Sequence, residues 1–253
     1  MRIKRKKEKS ENKNGGNEHK LIFHVAINIC LIAIVFVTIV ACGFLTNSAT
    51  ITAFKSYNGV IYAGNENSNK VALMINVYWG TEYLSEMLDI LDEYDAKCTF
   101  FVGKTWVKTY PAMCRLIYER GHEIGNHGSN HKEHARLSYD ENIKEIQECQ
   151  DAVYEVTGVT MNLFAPPGGS YSQTTVKAAS DLSYKTILWT HDTIDWRDRD
   201  EDLIFERATS EMTGGDLILM HPTEATKNAL KRILEYINSK NLVPDTVSNT
   251  IKD

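Results

Sequence analysis

Cysteine is scarce in this sequence and gives no sign of a disulfide framework. Of the five cysteines in 253 residues, Cys30 and Cys42 lie in a long apolar run near the N-terminus, which leaves Cys98, Cys114 and Cys149 for the rest of the chain. Three residues cannot all pair with one another, and the sequence has no Cys-x-x-Cys pair. A disulfide-stapled fold and a cysteine zinc site are therefore both unexpected.

Basic residues are also scarce beyond the N-terminus. Residues 1–20 carry eight Lys or Arg against three Glu, so the remaining chain holds 20 basic and 30 acidic residues. Nucleic-acid affinity comes largely from neutralising phosphates with Lys and Arg. The acidic body argues against DNA or RNA as a partner, whereas 43% hydrophobic and 24% charged content is typical of a folded globular protein.

Charged residues are absent from Leu21 to Leu45, a run long enough to cross a bilayer. As a helix it would extend roughly 37 Å, against a hydrocarbon core of about 30 Å. Basic residues precede the run, so the positive-inside rule places the N-terminus in the cytoplasm. The sequence predicts a cytoplasmic tail over 1–20, a single transmembrane helix over 21–45, a linker over 46–69 with a short strand around Val60 to Ala63, and an extracellular domain over 70–253. A loose lipobox ending at Cys42 leaves open the alternative of lipidation there.

From Lys70 onward, short apolar runs alternate with amphipathic segments, a pattern typical of an α/β fold with a parallel sheet. Apolar residues at helical spacing separate the runs, as at Leu84, Met87, Leu88 and Leu91. The segment is shorter than the roughly 250 residues of a full eight-unit barrel, so we expect an incomplete or distorted (β/α) barrel of about seven units. The predicted strands are Val71–Asn76, Cys98–Val102, His122–Gly125, Asn162–Ala165, Tyr184–Trp189, Asp216–Met220 and Leu242–Val247.

Two histidines four residues apart follow the third predicted strand. On a helical turn, this spacing would place the imidazoles of His127 and His131 on one face, where both can reach one metal ion. The pair alone is weak evidence, but loops at the carboxyl ends of barrel strands are where such enzymes place their chemistry. His122, at the other end of the strand, is expected to be structural, and His134 could be a surface residue.

Polar residues also follow two later strands, with Asp195 and Trp196 after one and His221 after the next. A buried carboxylate can raise the pKa of a neighbouring histidine and fix its tautomer, which suits that histidine to protonate a leaving group. Asp195 with His221 would make such a pair. The alternative is a lone structural histidine at one strand end, which we would prefer if no other strand end carried polar groups.

In their order and spacing, these segments resemble the motifs of the polysaccharide deacetylase family, the NodB-homology domain of carbohydrate esterase family 4. The family's His-x-x-x-His metal motif resembles residues 127–131, and its proline-rich motif resembles Phe-Ala-Pro-Pro-Gly-Gly at 164–169. Its Asp-Trp motif resembles residues 195–196, and its Leu-x-His motif resembles residues 219–221. Trp-Gly at 79–80, after the first strand, is similar to the sporulation-type, membrane-anchored branch found in spore-forming bacteria.

The resemblance implies a metal-dependent hydrolase that removes N-acetyl groups from a cell-wall glycan, with peptidoglycan expected first. In that mechanism an Asp and two His hold a divalent metal (Zn, or alternatively Co or Ni), which activates water, and a second Asp takes the water's proton. The Leu-x-His histidine protonates the departing amine. Carried over to this sequence, the metal ligands are His127 and His131, and the acid side is His221 with Asp195. The residues expected to contact substrate are Pro166, Pro167, Tyr171, Trp196 and Trp79.

The first strand departs from the family pattern. Where the family reads Thr-Phe-Asp-Asp-Gly, this chain reads Met-Ile-Asn-Val-Tyr, so Asn76 occupies the base position and Val77 a metal-ligand position. An amide cannot accept the water's proton at neutral pH, and loss of a positioned base costs on the order of 10² to 10⁴ in rate. Catalytic zinc usually has three protein ligands, so Asp192 or the Asn76 carbonyl would have to complete the set. Ala165 also replaces the Arg that often orients the base.

The sequence therefore leaves two main functions open. One is a membrane-anchored, extracellular N-deacetylase of cell-wall glycans that is slow or uses a rearranged base. The other is a catalytically inactive homologue that keeps the groove and binds glycan or a wall-assembly partner. An inert scaffold, in which only the membrane span matters, is a third possibility.

Overall fold

A computed structural model of the chain describes residues 27–35, 37 and 56–252. Residues 27–35 and 37 are helical. No helix within these described ranges is long and apolar enough to cross a membrane. The predicted tail over 1–20 and most of the predicted span over 21–45 lie outside the described residues, so both stay predictions.

Residues 56–252 form an α/β domain in which strands and helices alternate along the chain. Its strands are β1 (Ser56–Tyr57), β2 (Val60–Ile61), β3 (Lys70–Val77), β4 (Thr99–Val102), β5 (Glu123–Asn126), β6 (Leu163–Phe164), β7 (Lys185–Ile187), β8 (His191–Asp192), β9 (Leu217–Met220) and β10 (Val243–Asp245). Its helices are α1 (Leu84–Glu93), α2 (Lys104–Thr109), α3 (Pro111–Glu119), α4 (Tyr139–Thr157), α5 (Gln173–Asp181), α6 (Asp195–Asp198), α7 (Glu201–Thr209), α8 (Glu224–Ser239) and α9 (Val247–Thr250). The predicted α/β class is confirmed.

The strands form one curled sheet in the order β1-β2-β7-β6-β5-β4-β3-β9-β8, and β10 pairs with the start of β3. Apart from the antiparallel hairpin of β1 with β2, the pairs within it are parallel. In this order five strands lie between β7 and β8, although only residues 188–190 separate these two strands along the chain. The Leu188 N–H donates to Ile61 and the Thr190 N–H to Leu217. Residues 188–190 therefore bridge the opening between β7 and β8 in a partial barrel.

Residues of β3 alternate between two apolar clusters, which explains why the strand reads as one continuous apolar run. Leu73 and Ile75 pack into a large cluster with the helices, whereas Ala72 and Met74 pack into a small cluster inside the barrel. Successive strand residues point to opposite faces of a sheet. The same alternation places Asn76 on the inner face, in line with Ala72 and Met74.

The predicted strands match observed ones, but two features differ. The strand expected over 184–189 ends at Ile187, and a separate strand, β8, begins at His191. The Thr190 hydroxyl donates to the Leu217 carbonyl, so the chain changes partner strand here, which an apolar run does not reveal. The short strand expected around Val60 to Ala63 in the linker is present as β2, but it belongs to a hairpin over 56–61 and joins β7.

Candidate functional site

Side chains from the carboxyl ends of the parallel strands line a cavity of about 270 Å³. Inner-face alternation carries Asn76 there from β3 and Leu219 from β9, and it continues to His127 and His221, which directly follow β5 and β9. Parallel strands bring these ends to one edge of the barrel. The lining residues are Asn76, Trp79, His127, His131, Gly168, Trp189, Asp192, Trp196, Leu219 and His221.

His127 and His131 lie together, although no helical turn joins them. Residues 127–133 form a loop in which His131 has a φ of 52°, and the two ring centroids are 5.3 Å apart. The helical turn that would have explained the spacing is therefore not formed. The buried Glu145 of α4 shapes the loop instead, because its carboxylate accepts the backbone N–H groups of Ser129 at 3.0 Å and Asn130 at 2.8 Å.

A backbone carbonyl fixes the tautomer of His127. Nδ1 lies 2.7 Å from the Ala165 oxygen; a carbonyl only accepts, so Nδ1 carries the hydrogen and Nε2 keeps a free lone pair. Burial, reinforced by the nearby His131, lowers the pKa of His127 to about 3. Partial burial also lowers the pKa of His131. Both imidazoles are therefore neutral near pH 7.

Asp195 and His221 form the pair expected from the sequence, in a buried setting. Asp195 is fully buried at the start of α6. Its Oδ1 accepts the Nδ1–H of His221 at 2.7 Å, and its Oδ2 accepts the His221 backbone N–H at 2.6 Å and the Thr226 hydroxyl at 2.5 Å. The indole ring of Trp79 stacks on the His221 ring, with centroids 5.6 Å apart and ring planes 15° from parallel. This arrangement leaves Nε2 of His221, a cavity-lining residue, free to exchange a proton with a ligand.

Asn76 and Val77 lie in different surroundings at the end of β3. Asn76 is 3% exposed and lines the cavity, and its buried Oδ1 has no hydrogen-bond partner among the described residues. Val77 is fully buried in the large core cluster. The base position therefore holds an amide, and the position of the missing ligand holds a core side chain.

The donors at the cavity do not make up the Asp and two His that the resemblance implies for a metal. Within 56–252 and the short described helix, no three His, Cys, Asp or Glu side chains are placed to hold a metal ion. Asp192 lines the cavity, but its Oδ1 accepts the Ile194 N–H at 2.9 Å. The imidazoles of His127 and His131 therefore remain a two-ligand set, and the side chains present do not fit a three-ligand metal site.

The predicted substrate contacts divide into two groups. Trp79 and Trp196 line the cavity and are 46% and 52% exposed, so their rings are available for stacking. They also line an adjoining cavity of about 690 Å³. Pro166 and Pro167 are buried, and the half-buried Tyr171 shares a 2.7 Å hydrogen bond with the hydroxyl of Tyr62. These last three predicted residues do not line the cavity, although Gly168 of the same turn does.

The sequence analysis did not identify the residues outside the cavity that hold the residues of the site in place through hydrogen bonds. Glu145 shapes the histidine loop and Thr226 completes the hydrogen bonds of Asp195. His134 is fully buried rather than at the surface, and its Nδ1 lies 2.7 Å from the Asn142 oxygen. Asn142 and Glu145 are three residues apart on α4, on the face that also buries Ile146. The signal in the sequence that could have identified Asn142 and Glu145 is the presence of polar residues within the apolar stripe of α4.

Comparisons in sequence agree with the motif resemblance. The family model for polysaccharide deacetylases matches residues 63–187. The uncharacterized protein YlxY of Bacillus subtilis is 35% identical over 193 residues, which cover 76% of this chain and 60% of YlxY. A peptidoglycan-N-acetylglucosamine deacetylase of Bacillus cereus is 30% identical over 176 residues, covering 67% of this chain and 82% of the relative. The chain thus spans under two thirds of YlxY.

Solved structures show the same fold. BA3943 of Bacillus anthracis, a CE4 family pseudoenzyme, has a TM-score of 0.75 and 34% identity, covering 78% of this chain and 70% of that one. A BA3943 mutant with restored enzymatic activity has the same TM-score and 32% identity, covering 78% of this chain and 72% of that one.

Proposed function

Because this chain belongs to the polysaccharide deacetylase family, carbohydrate esterase family 4, we propose that it binds the N-acetylated glycan of a bacterial cell wall, peptidoglycan, without efficient turnover. The observation that carries the proposal is the buried amide of Asn76 at the base position. The cavity retains His127, His131 and the His221 pair, whereas Val77 supplies no metal donor. The similarity to the pseudoenzyme BA3943 supports this function.

The tryptophans give the proposed ligand a binding surface. Trp79 and Trp196 are exposed and shared by the two adjoining cavities. Large rigid aromatic rings supply contact area at low entropic cost, and the apolar faces of sugar rings can stack on them. A glycan longer than one sugar would therefore occupy both cavities.

Calorimetry with the full chain and a tetramer of N-acetylglucosamine tests the binding. Trp196→Ala should weaken binding about tenfold, since an interface aromatic commonly contributes more than 1 kcal/mol. Tyr154→Ala is the matched control, because Tyr154 is 57% exposed on α4 and does not line either cavity. Absence of tetramer binding by the wild-type chain would contradict the proposal.

The intact pair of Asp195 and His221 favours slow N-deacetylation as a second candidate function. His221 can protonate a departing amine, but Asn76 cannot take a proton from water. Acetate release should therefore be on the order of 10² or more below that of the Bacillus cereus relative. The assay is run with added Zn, Co or Ni and without it, and with His221→Ala as the inactive control. Release at the rate of the active relative would favour the enzyme over the binding protein.

The proposed location is the outer face of the cell membrane, as expected for the sporulation-type, membrane-anchored branch. It rests on the basic residues of 1–20 and the uncharged run from Leu21 to Leu45. Protease added to intact protoplasts should digest the domain over 70–253. A domain that is digested only after lysis would show the opposite orientation.

A further inference from the structure

The segment over residues 193–199 holds two residues of the site and is strained at both ends of its helix. The four-residue helix α6 within it carries Asp195, which is fully buried, and Trp196, which lines both cavities. Ile194 before the helix and Arg199 after it have left-handed backbone, with φ of 53° and 51°. Residues other than glycine rarely adopt this conformation, and β-branched ones such as Ile194 least of all. Such strain persists only where surrounding contacts maintain it.

Helix α6 is too short to maintain this conformation by itself. The N–H groups of Arg197 and Asp198 both donate to the Ile194 carbonyl, each at 3.1 Å, but a single helical turn has little stability of its own. The Arg197 guanidinium also donates to the Asp198 carboxylate. These two residues are neighbours on α6, so their contact does not connect the helix to the rest of the fold. Another element has to supply that connection.

Arg207, on α7, contacts the segment at both ends of α6. Its Nη1–H donates to the Thr193 carbonyl at 3.0 Å, and its Nη2 lies 2.6 Å from Oδ2 of Asp198. The Arg207 side chain is 27% exposed, and hydrogen bonds between a guanidinium and a carboxylate are among the strong ones. The Arg207 backbone is joined to the sheet, because its carbonyl accepts the Nδ1–H of His191 at 3.2 Å. One side chain therefore fixes α6 relative to α7 and β8.

The two site residues of α6 depend on this contact to different degrees. Asp195 has its own bonds to His221 and Thr226, which hold it whether or not Arg207 is present. Trp196 is 52% exposed, so its ring is held in place mainly through the backbone of α6. Loss of the Arg207 contacts should therefore affect Trp196 more than Asp195.

We infer that Arg207 is a positioning residue, which orients the Trp196 ring for glycan binding by fixing α6. The inference rests on the proposed glycan binding and extends it to a residue that lines neither cavity. Lysine would be a poor replacement, because one ammonium group does not reproduce a planar guanidinium that bonds to two acceptors.

A double-mutant cycle on the full chain tests this role, with calorimetry and the tetramer of N-acetylglucosamine as the probe. Arg207→Met keeps much of the aliphatic stem and removes the guanidinium, and it should weaken binding about fivefold. In the Trp196→Ala background the same change should weaken binding no further, because the ring that Arg207 orients is gone. Arg207→Lys should bind with an affinity between those of the wild type and Arg207→Met.

Arg232→Ala is the matched control for the loss of an arginine that pairs with a carboxylate. Arg232 contacts Asp202 of the same helix, α7, at 2.6 Å, but both side chains are exposed, at 44% and 80%. Neither residue lies in the segment over 193–199. Arg232→Ala should therefore bind the tetramer as the wild type does.

Fluorine NMR of protein labelled with fluorotryptophan gives a second readout that needs no ligand. The chain has four tryptophans, and Trp196→Phe identifies the Trp196 resonance. In Arg207→Met this resonance should shift or broaden, because the ring is no longer held in one orientation. The buried Trp106, whose Nε1–H donates to the Gly80 carbonyl at 2.7 Å, is the internal reference and should keep its resonance.

The outcomes separate this inference from the proposed function. The role of Arg207 is wrong if Arg207→Met binds the tetramer as the wild type does, if its loss adds in full to that of Trp196→Ala, or if the Trp196 resonance is unchanged. If the wild type does not bind the tetramer, glycan binding itself fails, and the fluorine spectra still show whether Arg207 orients the ring. Circular dichroism identifies a variant that has not folded, in which case Arg207→Lys replaces Arg207→Met in the cycle.

Discussion

Asp195 and His221 are joined twice, because the carboxylate accepts both the side-chain Nδ1–H and the backbone N–H of the histidine. The Thr226 hydroxyl supplies a third donor to the same fully buried group. A buried carboxylate is stabilised by such donors and would otherwise carry a large desolvation cost. The acid side of the site is therefore rigid even though the base side has lost its carboxylate.

Thr226→Val removes one of these three donors at nearly constant volume. We expect the free energy of unfolding to fall by about 1 to 3 kcal/mol, because a hydrogen bond to a buried charged group is lost. Urea unfolding measures the change, and Thr226→Ser, which keeps the hydroxyl, is the matched control. A Thr226→Val variant as stable as the wild type would show that this hydrogen bond does not stabilise the fold.

Asn76→Asp restores a carboxylate at the base position. Alone it should raise acetate release only slightly, because Val77 is a core side chain and the described site has no third metal donor. A base without a well-held metal has no activated water to deprotonate. Acetate release at saturating zinc is the measurement. A rate close to that of the active Bacillus cereus relative from this single change would contradict the prediction.

Glu145→Gln should loosen the loop that carries His131. The carboxylate accepts the Ser129 and Asn130 N–H groups, and a neutral amide oxygen is a weaker acceptor. We expect faster amide exchange in residues 128–131 and a loss of about 1 to 2 kcal/mol in unfolding free energy. Glu155→Gln is the control, since Glu155 pairs with Lys108 at the exposed surface and such pairs contribute little. Unchanged amide exchange of residues 128–131 in Glu145→Gln would show that the Glu145 carboxylate does not hold the loop in place.

Acid should destabilise the domain through His122. Burial, with nearby Lys97, lowers the pKa of His122 from 6.5 to about 4. The unfolded chain therefore binds a proton that the folded chain excludes, and stability present above pH 6.5 is lost as the pH falls to about 4. The contribution of His122 to this loss should be roughly 3 kcal/mol, so His122→Asn should lose about that much less stability than the wild type between pH 6.5 and pH 4.

His191 provides a contrast of opposite sign in the same experiment. Its hydrogen bond to Asp216 raises the pKa above 6.5, so its contribution to stability is present below pH 6.5 and is lost as the pH rises through the raised value. Urea unfolding of His122→Asn and His191→Asn at several pH values measures how the contribution of each histidine to the unfolding free energy changes with pH. A His122→Asn variant with the same acid sensitivity as wild type would assign the loss to other groups.

Local patterns in the sequence were sufficient for the order of elements and for the positions of the motifs. Apolar runs of four to eight residues predict buried strands, and each predicted strand has its counterpart in the sheet. Asn76 and His221 could be placed at strand ends because a residue's position along a strand is a local property. The amide at the base position is likewise visible in the sequence itself.

Tertiary structure alone decided how these residues meet. His127 and His131 come together in a loop that Glu145 of α4 holds, and the role of residues 188–190 depends on which strands pair. Val77 lies in the core because its face of β3 packs into the large apolar cluster. Sequence spacing reports separation along the chain, whereas hydrogen bonds and packing act between parts that are distant in sequence. The residues of the site could therefore be predicted from the sequence, but the contacts that fix its chemistry could not.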